Sequence, residues 1–167
     1  MSIESVANSV QLPPLDNPNE RVAVGGELQV VLLDLIDLSL IGKQLQWSVV
    51  GPAAHGVQLF LDELVEEWRE LADVVAERAV TLGFVPDGQS SAVAKGSRVE
   101  AVAVRSLADH AVVWELGRRV AAVAELIRAR LGAIGAADLV TQDVLVRVVG
   151  MLEKQQWLLR VQLGEKA

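Results

Sequence analysis

Apolar residues recur at helical spacing through most of the chain. Between 57 and 82, Val57, Leu61, Leu64, Trp68, Leu71, Val75 and Leu82 fall on one stripe when phased at about 100° per residue. Asp62, Glu66, Arg69, Asp73 and Glu77 line up on the other face, with His55 and Gln58 in register just before them. This is an amphipathic helix, predicted over 54–82, with one face to bury. The same spacing predicts a third helix over 107–131, with Val113, Leu116, Val120, Val123 and Ile127 inward, and a fourth over 137–163, with Leu145, Val148, Leu152 and Leu159 inward. The first helix, predicted over 25–50, differs. Val30, Val31, Leu32, Leu33, Leu35, Ile36, Leu38, Leu40 and Ile41 point in every direction around its axis, interrupted by Asp34 and Asp37. A helix apolar all round has to be covered on more than one side. The two acids break the run too early for a membrane span, which needs about 20 predominantly apolar residues.

Turn residues set the connections. Gly51-Pro52 leaves only a short turn, so the first two helices are antiparallel neighbours. Gly83 and Pro86 stop the second helix. Residues 84–106, rich in Gly, Ser and small side chains, form a long connection with room for a short helix near 90–94. That length suits a bundle with a crossover rather than a simple up-down-up-down chain. Pro13, Pro14 and Pro18 make residues 1–24 read as an extended arm, ahead of a single all-α, four-helix domain over 25–167. At 167 residues, and with no shift of composition along it, the chain suits one domain.

Composition narrows the function. The chain is 51% hydrophobic but only 4% aromatic, as expected of a bundle built from Val, Leu and Ala. It has no cysteine, which excludes disulfides and thiolate metal sites. No basic region followed by an apolar core opens the sequence, so a cytoplasmic protein is expected. The net charge of −7 opposes general affinity for nucleic acid, which draws on Lys and Arg neutralising phosphates. The tails offer no basic patch: Glu4, Asp16 and Glu20 stand against Arg21 alone, and one Glu and one Lys follow Leu163. No phosphate loop or nucleophile motif occurs.

The carboxylate stripe has two readings, a solvated outer face or a set of metal ligands. Several motifs favour the second. The run Ile36-Asp37-Leu38-Ser39-Leu40-Ile41-Gly42-Lys43-Gln44-Leu45-Gln46-Trp47 is followed by Gly51, then by Gln58-x-x-x-Asp62 and by Asp73-x-x-x-Glu77-Arg78. Near the end stands Glu153-Lys154-Gln155-Gln156-Trp157, with Arg160 after it. Together these resemble Dps, the DNA-binding proteins from starved cells, which are mini-ferritins, and the similarity covers roughly 25–163. The resemblance implies a ferritin-like fold assembled as a dodecameric hollow shell that stores iron and protects against oxidative stress. In that family two histidines and an aspartate of one subunit face an aspartate and a glutamate of its twofold partner, and together they bind and oxidise Fe(II). Carried over, the first set is Gln46, Gln58 and Asp62, and the second is Asp73 and Glu77. All three carboxylates are present, and both imidazoles are replaced by amides.

A glutamine offers a weak neutral oxygen where imidazole offers a nitrogen lone pair suited to iron. The set should hold iron weakly, lean toward other, harder divalent cations, and oxidise Fe(II) poorly or not at all. His55, three residues before Gln58, is a candidate replacement ligand; at a helix entrance it can equally face water. His110, beside Asp109, resembles a pair at the start of the family's third helix. Arg69 and Glu66 lie near the site, and Arg69 offers an alternative in which it neutralises the acids as a salt-bridge network. Trp47 and Trp157 match the family's tryptophans, Trp47 next to the metal position, and core packing is the expected role of each. Trp68 and Trp114 have no counterpart. Glu125, Asp138 and Asp143 are candidates for the acidic lining of an iron-entry pore, or else surface charges at helix ends, where Asp138 would suit a helix N-terminus. Three functions compete: an iron-handling shell with a degenerate ferroxidase centre, a non-catalytic structural shell or one co-assembling with related subunits, and, last, DNA binding.

Overall fold

Four long helices carry the chain: α1 (Pro18–Ser48), α2 (Ala54–Thr81), α4 (Asp109–Arg128) and α6 (Leu139–Gln162). Two short ones, α3 (Ser90–Gly96) and α5 (Leu131–Ala137), lie in the connections. The computed structural model describes Leu12, Pro13, Leu15 and residues 17–164. α1 begins well before residue 25, the start expected from the sequence pattern. Asn17 accepts a hydrogen bond from the Asn19 backbone N–H at 3.0 Å, and Pro18 takes the first helical position, where its missing N–H costs nothing. A proline that reads as a breaker is here a helix start. The extended arm is correspondingly shorter than 1–24, and residues 1–11 lie outside the described residues. Its last part is tied down by Arg21, which donates to the carbonyls of Pro13 at 2.8 Å and Leu82 at 2.9 Å.

Those contacts also fix the topology. α1 and α2 are joined by a short turn, so the end of α2 returns to the start of α1. The crossover then runs back along the bundle. It finishes at β2 (Leu107–Ala108), which pairs in parallel with β1 (Val49–Val50) at the far end of α1, Val49 opposite Leu107. α4 therefore descends beside α1, and α6 returns. Gly51, at φ 133°, makes the α1–α2 turn and leaves space for the Asp109 carboxylate, which accepts from the Ala53 backbone N–H at 2.9 Å. That bond pulls the Asp109 carboxyl below its ordinary range.

Most of the all-round apolar surface of α1 finds its cover inside the subunit, and Leu40 stays exposed. α1 packs against α2, α4, α3 and α5, so the crossover supplies a second covering side. Leu28, Leu35, Leu38 and Leu45 are fully buried. Asp34 is buried with them and accepts from the backbone N–H, Nε and a terminal nitrogen of Arg98, at 2.8, 2.9 and 2.6 Å. The inward residues expected of α4 and α6 are all buried, and of the α2 stripe only Leu71 is partly open. Among the described residues no helix is long and apolar enough to cross a membrane.

Two expectations are corrected. Residues 132–136, left between the expected third and fourth helices, lie within α5, whose Ile134 is buried despite Gly132 and Gly135 on either side. Trp47 and Trp157 do not pack in the core; they are 73% and 48% exposed. Both lie on faces that a single chain leaves uncovered. The core tryptophan is Trp68, fully buried, whose indole N–H donates to Gln155 Oε1 at 2.9 Å. Gln155 in turn donates to Glu67 Oε2 at 2.6 Å, so neither polar group is stranded.

Candidate metal centre

α1 and α2 approach closely where the candidate ligands stand. A Cβ on Gly42 would lie 2.7 Å from Val65 Cγ2 and 2.9 Å from Trp68 Cζ3, so only glycine admits this approach. One turn on, Gln46 and Gln58 face each other across the hairpin. Gln46 Nε2 donates to the Gln58 carbonyl at 3.0 Å, and Gln58 Nε2 to the Gln46 carbonyl at 3.4 Å. The two amides lock the helices together through each other's backbone. Gln46 is buried, and its Oε1 takes no part in this exchange.

That oxygen is taken by Lys43. The ammonium, one turn earlier on α1, donates to Gln46 Oε1 and, at 2.9 Å, to Asp62 Oδ1. Gln46, Gln58 and Asp62 are thus brought together as the motif spacing implied, with a lysine among them that the motif spacing did not single out. Hydrogen bonding from Lys43 and Gln46 holds the Asp62 carboxyl below the ordinary carboxylate range. The signal for Lys43 was in the sequence: it stands three residues before Gln46, hence on the same face of α1.

The second set is elsewhere. Asp73 and Glu77 are exposed on α2, and Asp73 sits about 16 Å along the axis from Asp62, at about 1.5 Å per residue. They can meet Gln46, Gln58 and Asp62 only through another copy of the chain. Accordingly, no three of His, Asp and Glu cluster among the described residues. Between the two sets, Arg69 donates to Glu66 Oε1 at 2.6 Å, an exposed pair that leaves Asp62, Asp73 and Glu77 to themselves. His55 is exposed at the start of α2, and Trp47 stands open on the adjacent face of α1.

The three pore candidates separate. Glu125 is exposed on α4. Asp143 is exposed and paired with Arg147 at 2.8 Å. Asp138 is instead a helix cap: it accepts from the backbone N–H groups of Val140 and Thr141 at 3.2 Å each, and from Arg78 at 2.6 Å. Burial works against its ionisation, but the bonds from Thr141 and Arg78 prevail and its pKa is lowered. Arg78, the last residue of the Asp73 motif, therefore braces the start of α6.

As a donor set, Gln46 Oε1 and Asp62 provide two oxygens and no nitrogen, with a fixed cation already between them. With no nitrogen donor, such a half-site is poorer for Fe(II) than for a harder cation.

Comparison with known proteins bears on the fold as a whole. The ferritin-like domain family matches residues 26–166. The chain is 38% identical over 136 residues to the DNA protection during starvation protein of Mycolicibacterium smegmatis, covering 81% of this chain and 74% of that one. It is 37% identical over 138 residues to the fine tangled pili major subunit of Haemophilus ducreyi, covering 81% and 72%. The solved structure of Mycobacterium smegmatis Dps in its tetragonal form superposes with a TM-score of 0.87 at 34% identity, over 95% of this chain and 98% of that one.

Proposed function

The chain belongs to the Dps family of ferritin-like proteins, and from that premise we propose that it forms a closed shell, near twelve subunits, that stores iron with a degenerate ferroxidase centre. The observation that carries the second half of this reading is the pairing of Gln46 with Gln58. Their amide nitrogens bind backbone carbonyls, and no imidazole stands in their place. Iron is the cargo here. Asp73 and Glu77 attract Fe(II) by charge, but neither they nor the facing Gln46, Gln58 and Asp62 of a twofold neighbour give it a nitrogen donor, so oxidation is slow and mineral collects on carboxylates of the cavity wall. Exposed apolar residues on α1 and α2, among them Leu40, Trp47, Leu59 and Val74, support a subunit contact on this face.

Light scattering and iron loading test the proposal together. The expected result is a particle near twelve subunits that retains iron through gel filtration, while its initial rate of Fe(II) oxidation by peroxide stays close to that of protein-free buffer. The double change Gln46→His plus Gln58→His raises that rate well above wild type, and Asp62→Ala in that background removes the gain. A stable monomer or dimer overturns the shell; a wild type as fast as the double variant overturns the degenerate centre. DNA binding is not expected of a chain with net charge −7, so a gel shift at moderate salt should show no complex with duplex DNA. A cysteine-free chain suits the cytoplasm. The pilus name carried by the Haemophilus relative supports a second reading, a shell with a purely structural role or one co-assembled with related subunits. Under it, the wild-type particle forms but retains no iron.

A further inference from the structure

We propose that the Lys43 ammonium is the resident cation of this site, holding the position between Gln46 and Asp62 and keeping divalent metal out of it. The inference rests on the reading of the α1–α2 face as a former metal position, and goes beyond it by naming what now fills that position. A cation seated in this half-site would have to touch Gln46 Oε1 and the nearer oxygen of Asp62. Those are the two atoms that the ammonium contacts, with Asp62 Oδ1 at 2.9 Å. A lysine head is a compact point charge with three N–H donors, so it can serve two oxygens and still present one donor outward.

Charge points the same way. Asp62, Asp73 and Glu77 brought together across two copies would place three negative charges in one small volume, which without a cation would repel one another and be pushed toward protonation. Lys43 offsets one of these charges permanently. It is tethered to the same helix as Gln46, so it needs no recruitment from solution, and it cannot be removed by a chelator. Its side chain is only 30% exposed, while Asp62 is 52% exposed, so the ammonium is the more enclosed member of the pair. Arg69 does not compete for the role, because it is turned to Glu66. A divalent ion entering this position must displace a like-charged group from two oxygen ligands, and it gains no imidazole in exchange. The loss of the two histidines and the presence of the ammonium therefore act in the same direction.

Manganese(II) tests this, being a redox-stable ion that prefers oxygen ligands and whose free signal disappears on binding in an electron paramagnetic resonance titration. In the assembled wild type, Asp62→Asn should leave the number and affinity of bound Mn(II) unchanged, because Asp62 already has its cation. Lys43→Met should add about one Mn(II) per subunit, and Asp62→Asn in the Lys43→Met background should remove it. Lys43→Gln serves as a second neutral replacement if Lys43→Met fails to assemble, and Lys43→Arg should keep the metal out. A wild type that loses bound Mn(II) on Asp62→Asn overturns the proposal, as does a Lys43→Met or Lys43→Gln shell with no added site. Either result leaves the shell and its iron retention to be judged by the light-scattering and loading measurements.

Discussion

Two aspartates of the α1–α2 hairpin each meet a basic side chain, and the difference between the two meetings separates architecture from chemistry. Asp34 is fully buried and receives three N–H donors from Arg98, one from the backbone and two from the guanidinium. Asp62 is half open to solvent and receives one ammonium. A buried carboxylate survives only where its whole hydrogen-bonding capacity is met, and the planar fork of arginine does that. An exposed carboxylate held by one flexible lysine loses little when the pair is broken. Asp34 therefore pins the crossover to α1, whereas the Asp62 pair contributes little to the architecture and acts on the chemistry of the site.

Breaking the buried pair should give the largest effect. Asp34→Ala takes the acceptor from three Arg98 N–H donors at once and unpins the crossover from α1, at a cost of about 3 kcal/mol, and should lower the thermal and denaturant midpoints sharply. If Asp34→Ala is as stable as wild type, the contrast with Asp62 fails. Next in size is Gln155→Leu, which strands the Trp68 indole N–H and should cost roughly 1–3 kcal/mol in the same measurements. Since Trp68 lies against Gly42, beside the site, its fluorescence reports whether the α1–α2 approach has loosened.

Acid titration sharpens the comparison further. Asp138 has a folded-state pKa lowered by Thr141 and Arg78. A depressed carboxyl binds fewer protons when folded than when unfolded, so its stabilising contribution is fully present above the unfolded pKa of about 3.9 and is lost as pH falls below that value. Denaturation midpoints should therefore be level from about pH 5 to 7 and drop below about pH 4. Asp138→Asn, which keeps a capping oxygen, should flatten part of that drop, and an unchanged acid limb would remove Asp138 as its source. The smallest expected effect is that of Asp62→Asn on stability: the midpoint at neutral pH should not move measurably. A large loss would turn Asp62 into a second Asp34 and remove the contrast between them.

The periodic elements were legible because they depend on local spacing. The inward stripes of α4 and α6 are buried in full, and the Gly51-Pro52 turn makes α1 and α2 neighbours as expected. The motif spacings also brought Gln46, Gln58 and Asp62 to one place, since residues three or four apart on facing helices share a face. Other features had no local signature. Pro18 starts a helix rather than preventing one, because a missing N–H matters only inside a helix and not in its first turn. α5 forms across two glycines because Ile134 is buried there, a packing gain that propensity does not contain.

The sequence by itself determined a helical bundle with one crossover, an acidic balance of charge, and a stripe of carboxylates in line with Gln58. Only the tertiary structure decided what each polar group does within that frame. It made Asp34 the anchor of the crossover, joined Arg78 to Asp138 at the cap of α6, opened Trp47 to the surface while burying Trp68, and set the Lys43 ammonium between Gln46 and Asp62. The physical reason is common to all four. Helical periodicity comes from the spacing of residues along one chain, whereas the partner of a charge or an indole is chosen by which other segment packs against it, and that partner can stand sixty or more positions away.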